Sequence, residues 1–245
     1  MTIERRTVLA HKSNHGGTRS ASAIKYIVVH YTGNDGDSDQ NNARYFQTGG
    51  RNASAHYFVD DDSITQSVPD LTVAWSVGGK KWGDCAKTGG GRLWNIATNT
   101  NTLNIELCDA QRDGAVMATE QTLDNAVALI QELMAKYGIP KNRVIRHFDV
   151  NGKHCPAYFM DEAKWAAFMA RIKSAPEAEQ KATEYKVTAK DGLNLRSGPS
   201  TSHARVYAMA YGETFLVQKI VGEWALGTAE NGLEGYAFAR YIKKA

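Results

Sequence analysis

The sequence predicts two folds in one chain: an α/β layer structure followed by a small all-β barrel. Three observations predict it. Apolar strands interleave with amphipathic helices through the first block, the pattern of helices layered on a sheet. The stretch "SAPEAEQKATE", residues 174–184, carries Pro, Ala and charges with no apolar period, as a linker does. Beyond it, short strands recur between Gly and Asn turns, as in a small barrel. The expected domains are therefore 1–174 and 185–245, with a linker at 175–184.

In chain order, "IKYIVVHYT" is a β-branched and aromatic run that reads as a buried strand. "DSDQNNARYFQ" reads as a short helix stopped by Gly49 and Gly50. "SAHYFVD" and "SITQSVP" read as strands around the Asp60–Asp62 turn, and "LNIELC" as another short strand. The clearest helix is "TEQTLDNAVALIQELMAKYGIP". Leu123, Val127, Ile130, Met134 and Tyr137 share one stripe, Thr119 caps the start, and Gly138 with Pro140 ends it. "DEAKWAAFMARIKSA" repeats the pattern with Trp165, Phe168, Met169 and Ile172. Between these lies the glycine-rich "GGKKWGDCAKTGGGRLWNIATNTNT". Its Trp82 and Trp94 suit either a cleft rim or anchors to the core. The strands "YKVTA", "LNLRSGPST", "RVYAMAYGE", "TFLVQKI", "EWALGTA" and "LEGYAFARYIKK" make up the second domain.

A formal net charge of +3 is too small to argue for nucleic acid. No apolar run reaches the roughly 20 residues that span a bilayer. The N-terminal segment lacks the apolar core of a secretory signal, so the expectation is synthesis in a cytoplasm. The three cysteines, Cys85, Cys108 and Cys155, are too few for a disulfide framework, although a Cys85–Cys108 bridge stays open.

Chemistry concentrates at the strand ends. His30 falls at the C-terminal end of its buried strand, where open sheets place ligands. His147 is expected to end the strand "RVIRH" in the same way, and Cys155 comes after it across a turn at Asn151–Gly152. Two imidazoles and a thiolate are zinc ligands, and three protein ligands rather than four mark a catalytic zinc site. His56, Cys108 and His154 compete for the role. In extended chain His154 points away from the face of Cys155 while Lys153 shares it, and His56 is a second choice, in or near the cleft. In "TLNIELC", Leu103, Ile105 and Leu107 take one strand face, leaving Asn104, Glu106 and Cys108 on the other. Glu106 is then either a general base or a solvated strand residue. Asp149 is either a residue that orients a ligand or a turn cap.

Together, "YIVVHYTGN", "NNARYF", "ASAHYFVDD", "AW", "LNIELC" and "RVIRHFDVNGKHCPA" resemble, in order, the type 2 zinc-dependent N-acetylmuramoyl-L-alanine amidases. That family includes phage endolysins, T7-type lysozyme and peptidoglycan recognition proteins. The resemblance runs over about residues 24–159. It implies a mixed central sheet flanked by helices, with Zn²⁺ held by His30, His147 and Cys155. It matches Glu106 and Lys153 to the family's catalytic positions, and His56, Trp75 and Asn104 are expected to contact substrate. Many relatives have histidine after the "AW" tryptophan where this chain has Ser76, a departure that touches that contact and not the metal set. "LNLRSGPS", with the strands after it, resembles bacterial SH3 domains, implying an SH3-like barrel that binds cell wall.

The implied activity is hydrolysis of the bond between N-acetylmuramic acid and L-alanine, with peptidoglycan as partner and neither nucleic acid nor membrane involved. Two rivals share the resemblance: a zinc peptidase acting within the stem peptide, and a non-catalytic recognition module. Relatives that only bind typically lose the cysteine, which this chain keeps.

Overall fold

A computed structural model describes residues 3–173 and 182–245. Most of the expected linker, with the end of the expected first domain, lies outside the described residues. The chain divides into two compact units, Met1–Ala175 and Pro176–Ala245.

In the first unit, strands β1 (Glu4–Thr7), β2 (His15–Thr18), β3 (Tyr26–Tyr31), β4 (Tyr57–Val59), β5 (Ser63–Gln66), β6 (Thr72–Ala74), β7 (Thr102–Leu107) and β8 (Val144–Arg146) alternate with helices. These are α1 (Asp39–Tyr45), α2 (Cys85–Thr88), α3 (Glu120–Tyr137), α4 (His147–Asn151) and α5 (Glu162–Arg171). Six strands form one mixed sheet in the order β1-β5-β4-β7-β3-β8, and β2 pairs with β6 apart from it. Only the β4–β5 pairing in the large sheet is antiparallel, a tight connection around the Asp60–Asp62 turn. The sequence expectation did not include β1, whose "ERRT" has no apolar alternation to betray a strand.

Period-two alternation decides which face holds the core. Ile27 and Val29 of β3, with Leu103, Ile105 and Leu107 of β7, pack against Leu123, Val127, Ile130 and Met134 of α3 and Phe168 of α5. α3 begins where Thr119 accepts from the Thr122 amide and ends where Gly138 takes a left-handed φ of 63°. The opposite sheet face carries Val28 and Ile145, packed with Val77, Ala97 and Val150. His30, Asn104 and Glu106 belong to that second face. α1 ends at Tyr45, a turn earlier than its glycines suggest.

The second unit is a seven-stranded antiparallel sheet. It comprises β9 (Thr183–Val187), β10 (Leu193–Arg196), β11 (Arg205–Met209), β12 (Thr214–Val221), β13 (Trp224–Ala229), β14 (Glu234–Phe238) and β15 (Ile242–Lys244). Its small core gathers Val187, Leu195, Met209, Phe215, Val217 and Ala225. The alternation is plain in β13, where every second residue is buried. Trp224, Phe238 and Tyr241 form a run of ring contacts, with Arg240 over Tyr241.

Candidate metal centre

Parallel pairing of β3 and β7 sets His30 directly beside Glu106 in register. β8 lies on the other side of β3 and delivers His147. His147 does not end that strand as the sequence suggested. The strand stops at Arg146, and His147 opens the one-turn helix α4. The cause is Asp149: its Oδ2 accepts from the Arg146 backbone amide at 2.9 Å and from its Nε at 3.2 Å, closing a turn around a buried ion pair. Asp149 also pairs with Arg92 at 3.1 Å. It is a turn cap; the His147 ring has no hydrogen bond to it or to any other described group. α4 ends at Gly152 (φ 90°), after which the chain returns Cys155 to the His30 side.

His30, His147 and Cys155 are all buried, and one potential ligand atom from each lies within 4.8 Å of the others. The rings of the two histidines meet edge-on with centroids 4.7 Å apart. His30 Nδ1 is 3.9 Å from Cys155 Sγ. In a tetrahedral zinc site, ligand nitrogen and sulfur sit about 3.6 Å apart, so a few tenths of an ångström separate this arrangement from a closed one. Both ring nitrogens of His147 are buried without a hydrogen-bond partner. Orphaned nitrogens on a buried imidazole are costly, and an ion bound to the unprotonated one would remove part of that cost. The residues present therefore fit a zinc ion.

Charge in the site is governed by burial. Desolvation holds His147 down to about 2 and His30 to about 4, so both imidazoles are neutral and able to ligate. Burial likewise pushes the Cys155 thiol up to about 12, and a thiolate there calls for a cation. Glu106 is pushed up to about 8 by burial, with Lys153 pulling the other way. A fifth of the Glu106 side chain stays accessible (20%), its Oε1 is 3.9 Å from His30 Nδ1, and its Oε2 has no partner. Lys153 is exposed at the rim, and its positive charge opposes protonation of both histidines.

Two residues expected at substrate are elsewhere. Asn104 is fully buried, and its Oδ1 accepts from His30 Nε2 at 3.1 Å, which leaves Nδ1 as the free nitrogen facing Cys155. His56 is also fully buried: its Nδ1 accepts from the Asn104 backbone amide, and its Nε2 lies 3.0 Å from Thr72 O and 2.8 Å from Arg19 Nη2. Both support His30 from behind, and neither can reach a ligand. The sequence reading missed Arg19, whose guanidinium bridges His56, Asp70 O and Thr102 O; only the tertiary fold reveals that role. Trp75 is half-buried and lines a cleft of about 460 Å³ with Asn52, Ser76, Gly78, Gly79 and Asn99. His154 is turned away from the metal set, stacked on Trp82 and paired with Asp84 at 3.3 Å. Cys85 and Cys108 are free and buried, so the bridge left open by the sequence does not form.

The glycine-rich stretch is held to α4 by backbone bonds from Trp82, Gly91 and Leu93 to Asn151, Phe148 and Asp149. Trp82 is 46% exposed, which favours the rim over the anchor for this ring.

Comparison with known proteins bears on this geometry. Residues 20–158 match the family described as N-acetylmuramoyl-L-alanine amidase, and residues 191–243 match the bacterial SH3 domain. A probable N-acetylmuramoyl-L-alanine amidase of Bacillus licheniformis is 31% identical over 193 residues, covering 75% of this chain and 52% of that protein. The amidase CwlA of Bacillus subtilis is 29% identical over 174 residues, covering 71% of this chain and 57% of that protein. The chain thus spans about half the length of the curated relatives it matches. Among solved structures, PlyL superposes with a TM-score of 0.56 at 29% identity, covering 71% of this chain and 99% of that one. The catalytic domain of XlyA gives 0.54 at 28%, covering 70% and 100%.

Proposed function

The chain belongs to the N-acetylmuramoyl-L-alanine amidase family, whose pattern covers more than half of it, and from that premise we propose a specific reaction. The protein hydrolyses the amide between the lactyl group of N-acetylmuramic acid and L-alanine in peptidoglycan, as an endolysin or prophage lysis enzyme does. His30, His147 and Cys155 hold one Zn²⁺. The observation that carries this reading is His147, buried with both ring nitrogens unpartnered beside a histidine and a thiol. When bound, the ion supplies Lewis acidity, polarising a carbonyl and bringing the ionisation of water to about pH 7.

The chain's own residues do the rest. Asn104 fixes the His30 tautomer, so that the ring presents Nδ1. Glu106, with one oxygen unpartnered and part of its surface open, takes a proton from water and returns it to the leaving nitrogen of L-alanine. That base must be ionised, which burial opposes; the Lys153 charge, and a cation in the site, act in the favourable direction. Lys153 at the rim also faces the negative charge that grows on the scissile oxygen. The Trp75 ring, set in a cleft lined otherwise by Asn52, Ser76, Asn99 and glycines, offers a flat face and polar partners to a glycan or peptide. The barrel acts as a tether, raising the concentration of the catalytic unit at the wall.

Mass spectrometry of purified walls digested with and without a chelator tests the reaction. The expected product has a new amino-terminal L-alanine, released only without chelator. A new terminus at any other stem-peptide residue would identify a peptidase instead, and no product would identify a binding module.

A further inference from the structure

A few residues beyond His30 and Glu106, the loops that leave β3 and β7 meet again. The amide of Thr32 donates to Leu107 O at 3.0 Å, and that of Asp37 to Asp109 O at 2.7 Å. Where they meet, Asp35, Asp109 and Asp113 bring three carboxylates together, with ligand oxygens within 4.8 Å of one another. Two oxygens on opposite sides of one Ca²⁺ are about 4.8 Å apart, so these three fall within reach of a single ion. Among the described residues, none of the three forms an ion pair with Lys, Arg or His.

Acidic clusters are common at surfaces, but this one contains a buried member that is not satisfied. Asp109 is 3% exposed; one of its oxygens accepts from the Gln111 amide at 3.1 Å, and Oδ2 has no hydrogen-bond partner. The facing loop carries two more buried oxygens without partners, Thr32 Oγ1 and Asn34 Oδ1. The Asn34 amide is oriented by its own Nδ2, which donates to Asp37 Oδ2 and Asn42 Oδ1, so it is the oxygen that is left over. A buried carboxylate oxygen without a donor is costly, and a divalent cation beside it relieves that cost.

The contrasting cluster is Asp60, Asp61 and Asp62. There Asp60 accepts from the amides of Asp39 and Ser63, and Arg6 lies 3.8 Å from Asp62. Asp35 likewise accepts from the amides of Asp113 and Gly114, and Asp113 from that of Ala115, so what distinguishes the first cluster is the orphaned Asp109 Oδ2 and the lack of a cationic side chain among the described residues.

We infer that Asp35, Asp109 and Asp113 form a second cation site, distinct in chemistry from the His30–His147–Cys155 set, that takes Ca²⁺. Its donors are all oxygens, which suit a hard cation, whereas zinc prefers the nitrogen and sulfur of the first site. An irregular set drawn from two loops suits Ca²⁺ better than Mg²⁺, which demands near-octahedral geometry. An ion here clamps the loops that come after the strands bearing His30 and Glu106, so it stabilises the mouth of the site without taking part in chemistry.

The test uses the full-length zinc-loaded protein, titrated with CaCl₂ by isothermal calorimetry and by thermal unfolding. One equivalent should bind saturably, with Kd on the order of 10⁻⁴–10⁻³ M, and Tm should rise by about 3 °C or more at ten times Kd. The double variant Asp35→Asn/Asp113→Asn removes charge at the two less buried positions and spares buried Asp109. It should keep its zinc and lose Ca²⁺ affinity at least tenfold. Asp62→Asn should bind Ca²⁺ as the wild type does. Absence of saturable binding up to 10 mM (about ten times the weakest expected Kd), or equal binding by the double variant, overturns the assignment.

Discussion

Replacing Asn104 with leucine removes two side-chain hydrogen bonds behind the metal set while keeping the branched shape of the side chain at slightly greater bulk. In the native protein, Asn104 Oδ1 accepts from His30 Nε2 at 3.1 Å, and its Nδ2 donates to Thr102 Oγ1 at 3.1 Å. Thr102 keeps a second bond, to Thr98 O at 2.9 Å, so the main orphan in the variant is the His30 N–H. Leaving a buried donor unpaired costs about 1–3 kcal/mol of stability, offset in part by the apolar leucine. The larger effect falls on zinc. Without the acceptor, His30 is free to change tautomer or rotate, and loss of such an outer partner typically weakens metal affinity about 10–100-fold, or ~1.4–2.7 kcal/mol. Competition with a chromophoric chelator at pH 7.5 measures the affinity, and urea unfolding of the zinc-free protein measures the rest. Asn104→Asp, which restores an acceptor, should bind zinc at least as tightly as wild type. A leucine variant within twofold of wild type would show that the hydrogen bond does not orient His30.

Four further outcomes are expected. Cys155→Ser should lose zinc and activity together, because a hydroxyl is a far poorer ligand than a thiolate; stoichiometric zinc by atomic absorption in that variant would count against the ligand set. Glu106→Gln should keep zinc and lose hydrolysis by about 10² or more, and wild-type turnover would reduce Glu106 to a strand residue. His56, held down to about 3 by burial and Arg19, stays neutral in the fold while the unfolded chain protonates below about 6.5. Its contribution is complete above that pH and is lost on acidification, so between pH 6 and 4 wild-type stability should fall about 1.4 kcal/mol per unit more steeply than that of His56→Gln; parallel curves would mean that His56 titrates in the fold. Truncation after residue 174 should leave cleavage of a soluble muropeptide near the full-length rate while slowing clearance of intact walls. Loss of both would place part of the barrel in the reaction.

One physical line separates the features legible in the sequence from those that were not. Strand alternation put Asn104 and Glu106 on the face opposite Leu103, Ile105 and Leu107, and the structure agrees, because local periodicity alone decides that face. The α3 stripe and its Thr119 and Gly138 ends were legible for the same reason. Depth was not. Asn104 and His56 read as residues of the cleft, yet both are sealed behind His30 by β2, β6 and Arg19, which come together from distant parts of the chain. Nor was α4 legible, since it depends on a buried pair, Arg146 and Asp149, that looks in sequence like two surface charges. The orphaned oxygens of Thr32, Asn34 and Asp109 leave no trace in composition at all.

The register of β3 against β7 makes some lengths of this chain negotiable and others not. His30 faces Glu106 because each sits at the same step of neighbouring strands. Deleting one residue within either strand would turn its polar set into the α3 core and send leucine or valine outward. Insertions in the surface turns between the strands face no such veto, because they lengthen connections whose ends the sheet already fixes. A gene of this design can lengthen, shorten or exchange its surface segments while two six-residue strands are copied without a slip.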